Sequence, residues 1–177
     1  MKKVLAFSGS NSSTSINLQL VNAVAKLDVD FQIDVIDLRD YAAPIYGIDH
    51  ETAEGIPASM VKLKELMNSY DGYIVSSPEH NGSMPAFLKS TLDWLSRQEG
   101  KIFQEKPVVF LATSPGARGG SSVLNHILEI MPYRGAKVIG GHGVGEFSKK
   151  VQDGNLIESE DKQIIIELLR KLSSSLA

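Results

Sequence analysis

Three loops in this chain hold the residues best suited to chemistry. The first is SGSNSSTSIN, Ser8 to Asn17, which joins an apolar run to a helical pattern and is nearly all Ser, Gly, Asn and Thr. A helix N-terminus offers N–H groups without acceptors and a positive dipole end, which suits a phosphate. Small hydroxyl residues add donors without blocking the approach to the backbone. The loop has neither G-x-x-x-x-G-K-[ST] nor G-x-G-x-x-G, so it is not a nucleoside-triphosphate P-loop and carries no dinucleotide fingerprint. A serine-rich turn that merely caps its helix is the plainer reading, but the hydroxyls exceed what one cap needs. The second loop is PEHNGSMP, Pro78 to Pro85. Pro78 fixes φ and removes an N–H, and Asn81-Gly82 tolerates positive φ. Such a turn can present several backbone N–H groups to a planar heterocycle. It can also be a plain link to a helix capped near Ser83 or Met84, although a shorter connection would do that. The third loop, TSPGARGGSS from Thr113 to Ser122, is glycine-rich and charged only at Arg118. It reads either as another wall of the same site or as packing for the next helix.

The elements that must position these loops alternate regularly. Apolar runs at Val4 to Phe7, Ile33 to Leu38, Gly72 to Val75, Val108 to Ala112 and Lys137 to Ile139 have the length and continuity of strands covered on both faces. Between them lie stripes with the spacing of one buried helix face. These are Leu20, Val21, Val24 and Leu27; then Ile56, Met60, Leu63 and Met67, with Pro57 suited to a first turn. Phe87, Leu88, Thr91, Leu92 and Leu95 follow Pro85, and Val123, Leu124, Ile127, Leu128 and Met131 form the next. The last is Ile164, Ile165, Leu168, Leu169 and Leu172, with Glu160 and Asp161 where the helix dipole favours them. The order βαβαβαβαβα predicts an α/β fold, a three-layer α/β/α sandwich over a five-stranded parallel sheet. The flavodoxin-like strand order 2-1-3-4-5 is the expected one, with residues 1–177 as one domain. Its ligand crevice opens beyond the carboxyl ends of strands one and three, which is where the loops after Phe7 and Val75 begin. The segment Gly140 to Ser159 reads as an excursion, with a turn at Asp153-Gly154-Asn155.

Composition narrows the chemistry further. The chain has 177 residues, a formal net charge of -3 and no cysteine. That charge gives no general attraction to nucleic acid or to an anionic membrane. Without cysteine there are no disulfides, thiolate metal sites or cysteine nucleophiles. The N-terminal MKKVLAFSGS is too short in its apolar run for a signal peptide or a membrane span, so a cytoplasmic protein is expected. His126 and His142 have no metal-spaced partners near them in sequence, so no metal is expected. His50 lies in YGIDHETAEG, a loop placed to flank a site entrance or a subunit contact. Lys89, Asp93 and Arg97 form i,i+4 pairs of a solvated helix face, and Trp94 belongs to the core or to a subunit interface.

Taken together, the three loops resemble the NADPH-dependent FMN reductase family. The family signature G-S-x-R-x-x-S-x-N corresponds to Gly9-Ser10-Asn11-Ser12-Ser13-Thr14-Ser15-Ile16-Asn17. P-E-Y-N-x-S-x-P-G-x-L-K-N-x-x-D-W corresponds to PEHNGSMPAFLKSTLDW, Pro78 to Trp94, and S-x-G-x-x-G-G to Ser114 through Gly120. The resemblance covers nearly the whole chain. It implies that Ser10, Ser15 and Asn17, with the backbone around Ile16, hold the FMN phosphate. It implies that Pro78, Glu79, His80, Asn81 and Gly82 line the isoalloxazine, largely through backbone, with Ser114, Pro115 and Gly116 on its other side. It also implies a homodimer or homotetramer, NADPH or NADH as co-substrate, and flavin, quinone, azo or metal-oxyanion acceptors. The chain departs from the pattern at Ser12, where the family has Arg, at His80 for Tyr and at Ala86 for Gly. Hydroxyls and helix N–H groups suffice for a phosphate, so FMN is still implied, while the choice between NADPH and NADH stays open. Two readings of His80 stand: an imidazole that favours anionic reduced flavin, or a turn residue that offers only its backbone N–H. No side-chain acid, base or nucleophile is required, since the cofactor carries the chemistry. A flavodoxin-like electron carrier is the rival reading, weighed against by the modest net charge. A receiver module is excluded because Phe7-Ser8-Gly9 and Pro78-Glu79-His80 lack its acidic residues.

Overall fold

The computed structural model describes residues 1–176. Strands β1 (Lys3–Ser8), β2 (Gln32–Ile36), β3 (Gly72–Ser77), β4 (Lys106–Thr113) and β5 (Ala136–Val144) form one parallel sheet in the order β2-β1-β3-β4-β5. This is the expected fold and strand order. Alternate strand residues feed two separate cores, which is why the strands read as continuous apolar runs. Leu5, Phe7, Tyr73, Val75, Val108 and Phe110 face α3 (Ala58–Asn68), α4 (Ala86–Ser96) and α5 (Ser121–Ile130). Val4, Ala6, Ile74, Val109 and Leu111 face α1 (Ile16–Val24) and α7 (Glu160–Ser175).

The departures from expectation have local causes. The second strand stops at Ile36 because Asp37 caps a 3₁₀ turn, accepting the Arg39 N–H at 2.9 Å and turning Leu38 into the core. A short helix α2 (Ile48–Glu54) lies in the loop before α3; none of its residues is buried, so it has no apolar stripe to announce it. The fifth strand continues through the glycines to Val144 with a register shift opposite Val108 and Val109. A Cβ on Gly141 would lie 3.0 Å from the Phe110 carbonyl oxygen, so close packing there requires glycine. The excursion therefore starts at Gly145. It consists of α6 (Phe147–Lys150) and a hairpin of β6 (Val151–Gln152) and β7 (Asn155–Leu156). Its turn is at Asp153 and Gly154, both with positive φ, where the sequence placed one.

Candidate functional site

The carboxyl ends of β1, β3 and β4 bring the three loops to one place. In the first loop the hydroxyls fold the chain onto itself. Ser10 Oγ accepts the Ser12 N–H at 3.2 Å, Ser12 Oγ accepts the Thr14 N–H at 3.3 Å, and Ser15 caps α1 by accepting the Leu18 N–H at 3.2 Å. Ile16 and Asn17 open α1, and N–H groups at those positions have no intrahelical acceptor. No Lys or Arg lies between Ser8 and Asn17. A cleft of about 270 Å³ is lined by Ser10, Ser12, Thr14, Ser15, Ile16 and Asn17 together with Pro78 and Pro115. Residues named from all three loops thus meet at one cavity. Ser12 and Thr14 line it too, although neither was assigned a binding role from sequence, Ser12 being noted only where the family has Arg; their position among the loop's other hydroxyls was the signal. A larger groove of about 350 Å³, between Leu27 to Asp30 and the end of α7, includes none of these loop residues.

Asn17 is 2% exposed and its side chain turns inward. Its Oδ1 accepts Ser76 Oγ at 2.7 Å and the Thr113 N–H at 3.1 Å, and its Nδ2 donates to the Thr113 carbonyl at 3.2 Å. The Ser8 hydroxyl, at the end of β1, is buried without a partner among the described residues.

The second loop is a miniature hairpin. His80 donates its N–H to the Ser83 carbonyl at 2.9 Å, and Ser83 returns the bond at 3.1 Å. Asn81 and Gly82 take φ of 52° and 77°, the left-handed pair that a type I′ turn needs. The backbone N–H of His80 is therefore used inside the turn, and its imidazole is on an exposed residue. Ser83 belongs to this hairpin and caps nothing; the N-cap of α4 is Pro85, and Ala86 is already helical. Paired residues of a hairpin share a face, and Ser83 Oγ lies 3.4 Å from His126 Nδ1 on α5.

Glu79 joins the second loop to the third. Gly120 at the N-cap of α5 has no side chain, and Glu79 Oε2 takes its place by accepting the Val123 N–H at 3.0 Å. A carboxylate at a helix N-terminus also meets the favourable end of the dipole. The third loop is pressed against the end of β5 and the residues that follow it. A Cβ on Gly119 would lie 2.8 Å from Gly143 backbone, and one on Gly143 would lie 2.7 Å from the Gly119 carbonyl oxygen. The Glu146 N–H donates to Gly116 O at 3.0 Å and the Phe147 N–H to Ser114 O at 3.2 Å. The loop is thus a packed wall.

Beyond this wall, His142 Nε2 and Lys150 Nζ each lie 2.8 Å from an oxygen of Asp161. Burial pushes the Asp161 carboxyl up, but the Lys150 and His142 hydrogen bonds outweigh it and hold it below the usual range. The carboxylate partner of His142 comes from α7, beyond the reach of local sequence spacing. Among the described residues no three His, Asp or Glu side chains gather as metal ligands would. Lys89 pairs with Asp93 as expected, whereas Arg97 turns to Glu51 at 2.9 Å. Trp94 is fully buried and belongs to the core.

Comparison with known proteins agrees in direction. The sequence model of one protein family, described as NADPH-dependent FMN reductase, matches residues 2–148. The quinone reductase of Escherichia coli strain K12 is 32% identical over 117 residues, which is 66% of this chain and 60% of that protein. The match thus spans less than two thirds of that relative's length. An NAD(P)H-dependent FMN reductase of Pseudomonas aeruginosa is 28% identical over 177 residues, covering 96% of this chain and 92% of that one. The structure of FerB, a flavoenzyme NAD(P)H:(acceptor) oxidoreductase from Paracoccus denitrificans, superposes with a TM-score of 0.82 over 99% of both chains at 20% identity, a likeness of fold.

Proposed function

The chain belongs to the NADPH-dependent FMN reductase family, and on that premise we propose that it is an FMN-dependent oxidoreductase that takes electrons from NADPH or NADH. The observation that carries the reading is the single cleft built from Ser10 to Asn17, Pro78 and Pro115 at the switch point of the sheet. The donor set fits a flavin phosphate. The N–H groups of Ile16 and Asn17 at the positive end of α1 attract an anion. The Ser10 and Ser15 hydroxyls accept from backbone and keep their own protons to donate. Pro78 and Pro115 supply apolar walls that exclude water. The N–H groups of Asn81 and Gly82, at the tip of the hairpin, are the donors offered to the polar edge of the ring; Glu79 and His80 hold that tip in place. Ser114 and Gly116 fix Pro115 opposite. FMN held by these residues would supply the redox chemistry, that of hydride acceptance from reduced nicotinamide and electron delivery to an acceptor. The acceptors proposed are small molecules: flavins, quinones, azo compounds or metal oxyanions.

Purified protein loaded with FMN should show the oxidised-flavin absorbance band and lose it on anaerobic addition of NADPH or NADH. A colourless protein that binds no added FMN overturns the reading. A flavin that binds but is not bleached by either nucleotide favours the electron-carrier alternative.

The proposal includes a homodimer or homotetramer. Its support is the apolar surface of the loop against α4, where Ile45 is 79% and Ile48 is 59% exposed and Ile45 shares a small pocket with the partly buried Phe87. Isolated exposed apolar residues are ordinary, whereas two on one short loop favour an interface. Light scattering should give a multiple of the 19.3 kDa chain mass, and Ile45→Glu with Ile48→Glu should reduce it; a monomer in the unmodified protein ends this part. No helix among the described residues is long and apolar enough to cross a membrane, and a cytoplasmic location forms part of the proposal.

A further inference from the structure

A flavin held at both ends requires its two anchoring loops to stand at a fixed separation. The sheet does not supply that on its own. Main-chain pairing registers β1, β3 and β4 with one another, but the phosphate-type donors lie beyond β1, on the first turn of α1. Something has to bind that turn to the strand ends from which the second and third loops leave.

Asn17 is placed to do so. Its carboxamide pairs with both main-chain groups of Thr113, accepting from N–H at 3.1 Å and donating to C=O at 3.2 Å, much as a neighbouring strand would. Thr113 is the last residue of β4, where the third loop begins, and its own hydroxyl ties it to the Val144 carbonyl on β5 at 2.7 Å. The same Asn17 Oδ1 accepts the Ser76 hydroxyl at 2.7 Å, two residues before Pro78. One side chain on the second residue of α1 therefore contacts β3 and β4 just where their loops depart. Ser76 and Thr113 are as buried as Asn17, so removing its carboxamide takes away the fixed partner of three buried polar groups, which is costly. The Asn17 oxygen is used twice and its nitrogen once, all inside the protein. The carboxamide is therefore committed to β3 and β4, and the donor this residue offers to an anion is its main-chain N–H in the first turn of α1.

We propose that Asn17 is a positioning residue, which fixes the phosphate-binding turn of α1 relative to the loops after β3 and β4 without touching the flavin. The proposal rests on the FMN reading above. It predicts a split that a contact residue or a merely structural one does not produce. Phosphate alone and the ring alone each need one loop cluster; only FMN needs both at the right separation.

The test uses apoprotein of the unmodified chain, Asn17→Ala and Ser76→Ala. FMN and riboflavin are titrated by flavin fluorescence, and inorganic phosphate is read by its shift of the apoprotein Tm. For Asn17→Ala the expected result is an FMN Kd raised roughly tenfold or more, as the loss of buried hydrogen bonds that set a geometry implies. Riboflavin affinity and the phosphate-induced Tm shift should stay within about twofold, the size of effect ascribed to groups outside a contact. Ser76→Ala removes one bond and keeps the amide pair, so a smaller rise in FMN Kd with unchanged riboflavin affinity is expected. Should Asn17→Ala not fold, the Ser76→Ala split decides, and an unchanged FMN Kd there overturns the proposal. Loss of the phosphate response together with FMN affinity makes Asn17 a direct ligand and overturns it. A parallel fall in all three affinities makes the role merely structural and overturns it as well. Unmodified protein that binds no FMN overturns the flavin reading and this inference with it, whereas unmodified protein that binds FMN as tightly as Asn17→Ala does overturns the role of Asn17 alone.

Discussion

Replacing Gly145 with valine is expected to weaken FMN binding while leaving most of the fold intact. A Cβ at this position would lie 2.5 Å from the Ala117 carbonyl oxygen, 2.9 Å from its carbon and 3.1 Å from its Cα. These are backbone atoms, so no side chain can rotate away, and the third loop itself must move. Moving it strains the bonds from Glu146 N–H to Gly116 O and from Phe147 N–H to Ser114 O. Those bonds hold the loop that puts Pro115 at the cleft. Losing the order of two hydrogen bonds at about 1 kcal/mol each corresponds to roughly a thirtyfold rise in Kd. The contact is between two loop backbones, outside both strands and helices, and overpacking of this kind costs about 1–3 kcal/mol of stability. Flavin fluorescence titration with far-UV circular dichroism measures both effects. Gly116→Ala is the control: a Cβ there meets nothing within 4 Å, so the loop should keep its place. Unchanged FMN affinity in a folded Gly145→Val protein would remove the third loop from the site.

This result depends on a feature that sequence could point to but not interpret. Gly119-Gly120 reads equally well as flexible packing or as a wall. Only the approach of Gly143 and Gly145, from the end of β5 and the residue after it, decides for the wall. Gly140, Gly141 and Gly143 hid the end of β5, since a strand so poor in side chains shows no apolar pattern. β1, β3 and β4 were legible because each is covered on both faces and reads as an apolar run, whereas the half-buried edge strand β2 was marked by Ile33, Val35 and Ile36 around Asp34. α2 was not, because a helix with no buried residue leaves no periodic trace. For the site, sequence supplied the loops and the residue types, and topology supplied their meeting point. What it could not supply is which polar atoms are already engaged within the protein. The Asn17 amide is bonded to a residue 96 positions away, the Glu79 carboxylate caps a helix 44 positions away, and the His80 N–H closes its own turn. A motif names a residue without giving its direction, so these partners emerge only once the chain is folded.

The largest stability effect is expected at Trp94. The side chain is 0% exposed, stands edge-on to Tyr46 at 5.0 Å and to His50 at 5.7 Å, and donates its Nε1–H to the Pro44 carbonyl at 2.8 Å. Trp94→Ala leaves a cavity and removes the strongest partner of that carbonyl, at a cost of about 3–5 kcal/mol. Against a total stability of about 5–15 kcal/mol for an ordinary domain, urea unfolding should show a large fall in midpoint. Trp94→Phe keeps an aromatic ring in place and loses the hydrogen bond, so about 1 kcal/mol is expected from that bond. The loop from Pro44 to Glu54 has few other ties. Ser90 Oγ accepts the Tyr46 N–H at 2.9 Å, and Arg97 pairs with Glu51 at the surface. Exposed ion pairs contribute little, so Trp94 is the main anchor of this loop. Ile45 and Ile48 sit on the same loop, which couples the core to the proposed assembly. Trp94→Ala should therefore lower the mass seen by light scattering at protein concentrations where Trp94→Phe still associates. If both variants keep the mass of the unmodified protein, the loop is not part of the interface, and Ile45 and Ile48 are exposed for another reason.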